Sequence, residues 1–226
     1  MSQLLKMAEQ QDQAFYDDAK KYWGGVPATV DGMLGGFAHI SNTDINGSTK
    51  FLRQFIRGKN SRTGSKRVLD CGAGIGRITK RLLMPLFETV DLVEQDPAFV
   101  AKGKENLAEH ASQIGTYYNC GLQEFTPEPG YYDVIWCQWV LGHLTDEDFV
   151  EFFKKCKAGI RENGLIVVKE NLTREADEFD ATDSSYTRTY ENHVKLLKKA
   201  GLEIIKEEKQ TGFPKAIFEV RMFAMK

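Results

Sequence analysis

The residues with most chemical content lie in one short stretch, Asp70-Cys71-Gly72-Ala73-Gly74-Ile75-Gly76-Arg77, which follows the apolar run Val68-Leu69. Ile75, Ile78, Thr79, Leu82 and Leu83 then repeat at helical spacing. The pattern predicts a buried strand, a tight turn and a helix start. Glycine permits positive φ and lets a ligand approach the backbone. The spacing is Gly-x-Gly-x-Gly, not the Gly-x-Gly-x-x-Gly that seats a pyrophosphate on a helix N-terminus. Glu94 ends a second apolar run about twenty residues on, where an acid can hold ribose hydroxyls. Gly121-Leu122-Gln123-Glu124 offers backbone and amide donors suited to an adenine ring. Gln138-Trp139 and His143 follow a further strand-like run, at the place where a reacting centre would lie. Taken alone, His143 reads more readily as a helix-capping or core histidine.

A ligand without phosphate fits this set. S-adenosylmethionine (SAM, AdoMet) presents a methionine amine and carboxylate near the glycine loop and a ribose near the next strand end. Asp70 can meet the amine through water, and Arg77 the carboxylate. A structural glycine turn in some other α/β protein is the competing reading of the loop by itself.

The elements that position these residues alternate. Strands are predicted at Val68–Asp70, Thr89–Glu94, Thr116–Asn119, Asp133–Cys137 and Leu165–Lys169, the last following an Asn163-Gly164 turn. Helices are predicted at Pro97–His110, Asp146–Ile160 and Tyr186–Ala200, with Gly201 as the stop. Leu202–Lys206 and Ala216–Phe223 form a closing antiparallel hairpin at the sheet edge. Ahead of this core, residues 1–23 read as a helix with Phe15, Ala19 and Tyr22 on one face, and Asp44 as the cap of a helix carrying Phe51, Leu52, Phe55 and Ile56. Pro27–His39 reads as a loop fitted against something, and Gly58–Ser65 as a polar connection. The expected fold is α/β, Rossmann-like, with a mostly parallel seven-stranded sheet and an N-terminal helical extension. One domain spans residues 1–226, with the extension over 1–58, the core over 65–226 and an acidic insertion at 171–185.

Bulk properties narrow the class. A chain of 226 residues with net charge −2 suits one α/β domain and lacks the basic balance of a phosphate-backbone binder. No stretch is long and apolar enough to span a bilayer, and no signal-peptide pattern opens the chain. The four cysteines (71, 120, 137 and 156) form no Cys-x-x-Cys pair, so neither zinc nor a disulfide framework is expected. An intracellular location, nuclear or cytoplasmic, is the expectation.

Longer text carries a resemblance. Tyr22-Trp23, Pro27-x-Thr29-Val30-Asp31-Gly32-Met33-Leu34-Gly35-Gly36, Leu69 to Lys80, Phe125-Thr126-Pro127-Glu128-Pro129, Tyr132 to Trp136, Gln138-Trp139, Gly142-His143-Leu144-Thr145-Asp146 and Asp183-Ser184-Ser185 resemble the protein N-terminal Xaa-Pro-Lys α-N-methyltransferases, within the class I SAM-dependent methyltransferases. The glycine loop is shared by many methyltransferases; the Thr-Val-Asp-Gly-Met-Leu-Gly-Gly and Gln-Trp…Gly-His-Leu-Thr-Asp blocks are far more specific. The resemblance implies SAM as cofactor, with no metal, bound by Gly72, Gly74, Arg77, Glu94, Gln95, Asp96, Leu122, Gln123 and Gln138 alongside Asp70. Within that cofactor set, Gly74 and Asp70 come from the reading of the first strand end rather than from the resemblance, which further implies a peptide channel lined by Trp23, Leu34, Trp139, His143, Asn171, Asp180, Asp183, Ser185 and Ile217.

In that picture the 27–39 loop and the 171–185 insertion roof and wall a narrow channel. Leu34 and Ile217 take a proline at the second position, while Asp180 and Asp183 attract a Lys or Arg at the third. The stretch from Glu175 to Asp183 carries five acids and no base, so its field is negative. His143 and Asp183 are the candidate proton acceptors, and Asn171 aims the amine. The implied partners are proteins or peptides with a free Xaa-Pro-Lys/Arg N-terminus, exposed after initiator Met removal, and neither nucleic acid nor membrane. Three residues depart from the family pattern: Glu94 where Asp is usual, Glu170 where close relatives carry Asp, and Phe218 where Tyr is frequent. A methyltransferase acting on a small amine or phenol is the alternative.

Overall fold

The computed structural model describes residues 3–56 and 62–226. The connection expected over Gly58–Ser65 therefore lies outside the described residues as far as Ser61. The chain opens with α1 (Gln3–Gly24), the single turn α2 (Val30–Met33) and α3 (Ser41–Ile56). Strand β1 (Arg67–Cys71) leads through the glycine loop into a helical stretch that becomes π-type over Thr79–Leu83. There follow β2 (Thr89–Val93), α4 (Pro97–Asn106), β3 (Ile114–Tyr118), β4 (Tyr132–Gln138), α5 (Asp146–Gly159) and β5 (Ile160–Leu172). The short β6 (Glu178–Asp180) and β7 (Ser185–Thr187) precede α6 (Tyr190–Lys199), β8 (Ile204–Lys209) and β9 (Glu219–Met225).

Seven strands form one sheet in the order β3-β2-β1-β4-β5-β9-β8. Strands β1 to β5 run parallel, and β9 lies antiparallel between β5 and β8. The expected terminal hairpin is thus present, with its second strand inserted inward and β8 left at the edge. Alternate residues of each strand feed two cores, as the pleat requires. Leu69, Ile135, Ile166 and Phe223 pack against α5, α6 and Tyr16 of α1. Val68, Val134, Leu165 and Met222 pack against α3 and the segment following the glycine loop. Both faces of β1, β2 and β4 and of the Leu165–Val168 part of β5 are buried, which explains their largely apolar runs, while β3 at the sheet edge is more exposed.

Several local expectations are corrected. Among the described side chains of α1 the buried ones are Tyr16 and Ala19, with Trp23 continuing that face, while Tyr22 is exposed. The stripe is rotated by one position at its aromatic ends, because aromatic residues stand on both faces. Asn163-Gly164 does not precede β5 but sits inside it, where the pairing jumps from Tyr132↔Ile160 to Val134↔Leu165. The extra residues form a bulge, a device that accommodates an Asn-Gly pair without ending the strand. Tyr186 belongs to β7, and α6 starts at Tyr190, where Thr189 Oγ1 accepts the Asn192 N–H at 3.1 Å. The acidic insertion is not a bare loop: Glu178–Asp180 pairs with Ser185–Thr187. Asp44 does not cap α3. It lies within the first turn, fully buried, and acts as a counter-ion.

Candidate active site

A cleft enclosing about 980 Å³, its open mouth included, lies beyond the carboxyl ends of β1, β2, β3 and β4. This is where open α/β sheets hold ligands. The glycine loop forms its floor. Gly72 and Gly74 have φ of +69° and +53°, and a Cβ on Gly72 would stand 2.4 Å from Val140 Cγ2. At Gly74 the obstacle would be Met33 Sδ at 2.7 Å. Met33 ends α2, so the 27–39 segment does cover the glycine loop. Its fold is local: Thr29 Oγ1 accepts the Gly32 N–H at 3.1 Å, and Asp31 Oδ1 accepts the Ala38 N–H at 3.2 Å.

Glu94 follows β2 on the cleft wall. Its Oε2 accepts the Gly74 N–H and its Oε1 the Asp96 N–H, both at 2.8 Å. Burial raises its pKa, and those two backbone donors oppose the rise. Gln95, Gly121, Leu122 and Gln123 complete this wall, with Phe99 beside them. Asp96 lies off the wall. It caps α4, accepting the Ala98 and Phe99 N–H groups at 2.7 and 3.1 Å. Asp70 is likewise withdrawn: Thr79 Oγ1 donates to its Oδ2 at 2.6 Å, and burial raises its pKa to about 7.

The other end of the cleft rests on a buried ionic cluster that the sequence pattern did not reveal. Asp44 Oδ2 accepts from Arg77 Nη1 at 2.7 Å, and its Oδ1 accepts from Gln138 Nε2 at 2.7 Å and Lys169 Nζ at 2.6 Å. Lys169, fully buried, also donates to Ser48 Oγ at 2.9 Å and Gln210 Oε1 at 2.8 Å. Burial lowers the Lys169 pKa, and Asp44 opposes that. The one available signal was a lysine directly after Leu165–Val168, since a lysine in a buried strand needs a partner.

His143 and Trp139 line the end of the cleft that follows β4. Trp23 Nε1 donates to His143 Nε2 at 2.9 Å, and His143 Nδ1 lies 3.3 Å from the Ser184 carbonyl oxygen. An indole N–H only donates and a carbonyl only accepts, so His143 is the neutral tautomer protonated on Nδ1. Burial lowers its pKa, while the Asp183 carboxylate pulls the other way. Trp139 holds φ of +53°, uncommon for a bulky residue and characteristic of functional loops. The surrounding backbone is clamped. Glu170 Oε1 accepts the Val140 and Leu141 N–H groups at 2.8 and 2.9 Å, and Arg188 donates to the Leu141 and Leu144 carbonyls at 2.9 and 2.6 Å. Glu170, noted in the sequence only as a departure, thus fixes the loop that carries Trp139 and His143.

Two buried polar atoms here lack partners: the Trp139 Nε1 donor and the Asn171 Oδ1 acceptor. Asp183 lies between β6 and β7, accepting from Ser185 Oγ at 2.7 Å and acting electrostatically on His143. Farther out, Asp180 is exposed, its Oδ1 bonded to the Thr182 N–H at 2.8 Å, which lowers its pKa. Leu34 is buried just after α2, and Ile217 is half-buried in the loop before β9. The cleft itself is lined by Trp23, Arg77, Glu94, Gln138, Trp139 and His143 among others; Leu34, Asn171, Asp180, Asp183, Ser185 and Ile217 stand outside that lining. Tyr16, Ala19, Met33 and Phe99 line it without having been picked out as binding residues.

The sheet order, the glycine floor and the acid after β2 define a class I SAM-dependent methyltransferase. The chain belongs to the AdoMet dependent proline di-methyltransferase family, whose model matches residues 11–226. It is 55% identical to the N-terminal Xaa-Pro-Lys N-methyltransferase 1 of Xenopus tropicalis, over 94% of this chain and 95% of the relative. Identity to the Homo sapiens protein of the same name is 49%, over 95% and 96% of the two chains. Among solved structures, a SAM-dependent methyltransferase of Leishmania major superposes with a TM-score of 0.88 at 39% identity, covering 94% of this chain and 83% of that one.

Proposed function

We propose that this methyltransferase acts on the free α-amino group of protein chains that begin Xaa-Pro-Lys or Xaa-Pro-Arg. The observation that carries the reading is the pair of unpartnered buried atoms, Trp139 Nε1 and Asn171 Oδ1. Buried polar groups normally find partners. One donor and one acceptor at the site's edge complement a peptide carbonyl and an amine N–H. The names of the relatives support the same substrate, and so does the ionised, exposed Asp180 for a basic third residue.

The cleft suits SAM, which supplies an electrophilic methyl when bound. Glu94 would take the ribose hydroxyls, Arg77 and Gln138 the methionine end, and Leu122 and Gln123 the adenine. Asn171 Oδ1 would hold the amine and turn its lone pair toward the methyl. An α-amine has a pKa of roughly 7.7–8.0, so at neutral pH it arrives mostly protonated. The lone pair of His143 is already engaged by Trp23, and burial weakens the ring as a base. Asp183 keeps acceptor capacity, so it takes the proton while neutral His143 holds the wall. Orientation by Asn171 adds to this, since a well-aligned attack can remove much of the barrier.

The test is incubation with SAM and peptides having free N-termini, read by mass. Xaa-Pro-Lys and Xaa-Pro-Arg peptides should gain methyl groups, and N-acetylated copies should not. Asp180→Lys should slow the Lys-third peptide by several fold and spare one with an uncharged third residue, as expected for an exposed charge pair of roughly 0.2–1 kcal/mol. Methylation of small amines with indifference to peptide sequence would overturn the reading.

A further inference from the structure

The cluster beneath the cleft carries an inference about how the cofactor end is built. Asp44 sits on α3, outside the glycine-loop machinery, yet its carboxylate is shared by two groups of the cleft wall, Arg77 and Gln138. It also takes Lys169, which reaches from β5 and does not line the cleft. Gln138 is further held through Oε1, which accepts the Trp136 indole N–H at 3.2 Å. Around Lys169 Nζ stand Asp44, Ser48 and Gln210, enough acceptors for the three N–H groups of an ammonium. The charges are one carboxylate against two cations, Arg77 and Lys169, all three nearly or fully buried. Asp70, the other acid near Arg77, accepts from Thr79 through Oδ2, and burial raises its pKa to about 7, so near neutral pH it offsets the two cations only in part. Among the described residues Arg77 uses only Nη1, so the rest of its guanidinium fork stays available at the cleft wall.

A buried excess of positive charge is costly unless a further anion joins it. A ligand carboxylate arriving at Arg77 is such an anion. We propose that Asp44 and Lys169 are a buried positioning pair for the cofactor: Asp44 fixes Arg77 and Gln138 in the wall, and Lys169 supplies the second cation that keeps this end receptive to a carboxylate. The proposal rests on the placement of the SAM carboxylate at Arg77. It differs from a purely structural tie between α3 and β5, because a tie would treat all ligands of the cleft alike.

The experiment compares SAM with decarboxylated SAM, which lacks only the carboxylate, by titration calorimetry. Wild-type protein should prefer SAM by about tenfold or more. Lys169→Met leaves Asp44 paired with Arg77 and keeps a side chain of similar length. It should weaken SAM by about tenfold and leave decarboxylated SAM within about twofold. Lys169→Gln, which retains hydrogen bonding without charge, should do the same. No preference in the wild type would remove the carboxylate from Arg77 and with it the premise. A wild-type preference that survives both substitutions, or equal losses for both ligands, would overturn the proposal alone. A structure of the wild-type protein with SAM gives a reading that needs no variant. Arg77 should hold Asp44 and the carboxylate together, and Arg77 leaving Asp44 for the carboxylate would refute the shared arrangement.

Discussion

The indole of Trp23 on α1 donates its N–H to Nε2 of His143 at 2.9 Å, and this bond ties the N-terminal helix to the end of the cleft that follows β4. It fixes the histidine's tautomer and occupies its lone pair. Trp23→Phe should free Nε2 for solvent, so the His143 pKa should rise from its lowered position toward about 6.5. NMR titration of the imidazole C–H signals in both proteins checks this. An unchanged midpoint would mean that the indole does not hold the neutral ring.

Asp183 and Asn171 should separate cleanly in pH-rate profiles. A positioned base contributes typically about 10²–10⁴ in rate. Asp183→Asn should lower kcat within that range at neutral pH and recover in part above the amine pKa, where the peptide arrives neutral. Asn171→Ala should be impaired at every pH, because aim does not titrate. Saturating kcat measured across pH decides it, and parallel profiles for the two variants would unseat Asp183 as the proton acceptor.

The contrast between legible and illegible residues has a physical cause. Gly72, Gly74 and Glu94 could be placed from sequence because a strand end, a glycine turn and the next strand end are local patterns whose geometry is nearly fixed. Met33 over Gly74 was within reach as a loop needing a surface, although the partner atom was not. Asp44 was misread as a cap because its role depends on α3 crossing the sheet onto Lys169, a contact between residues 125 positions apart. Local pattern holds no record of such a crossing. Asn163-Gly164 failed for the opposite reason: its local turn signal is real, but the β4 pairing continues past it and absorbs it as a bulge. Glu170 and Arg188 clamp the Val140–Leu144 loop through bonds to its backbone atoms, which leave no trace in the loop's side-chain chemistry.

Glu94 is engaged on both oxygens by the Gly74 and Asp96 N–H groups, so it shapes the glycine loop as well as the cleft wall. Glu94→Ala should therefore cost SAM affinity roughly 1.5–3 kcal/mol for each charge-assisted hydrogen bond lost. Calorimetry with SAM measures the loss. Unaltered affinity would place the ribose away from β2.

His193 offers a stability prediction remote from the cleft. It lies on α6, fully enclosed, with its ring 5.4 Å from that of Phe149 and 5.3 Å from that of Phe223, and its Nε2 has no partner. Burial, with Arg188 nearby, lowers its pKa to about 3 despite the opposing pull of Asp177. Between about pH 6.5 and 3 the unfolded chain therefore binds a proton that the folded chain refuses, so this group makes stability fall as pH falls. Asp70 and Glu170, both raised to about 7 by burial, work in the opposite sense, since the folded protein keeps their protons longer. Their contribution is common to the wild type and a His193→Leu variant and cancels in the difference between them. On going from pH 7 to pH 5, the wild type should lose about 2 kcal/mol relative to the variant. Urea unfolding at the two pH values tests this, and a difference that stays constant with pH would show that His193 takes up its proton in the folded state.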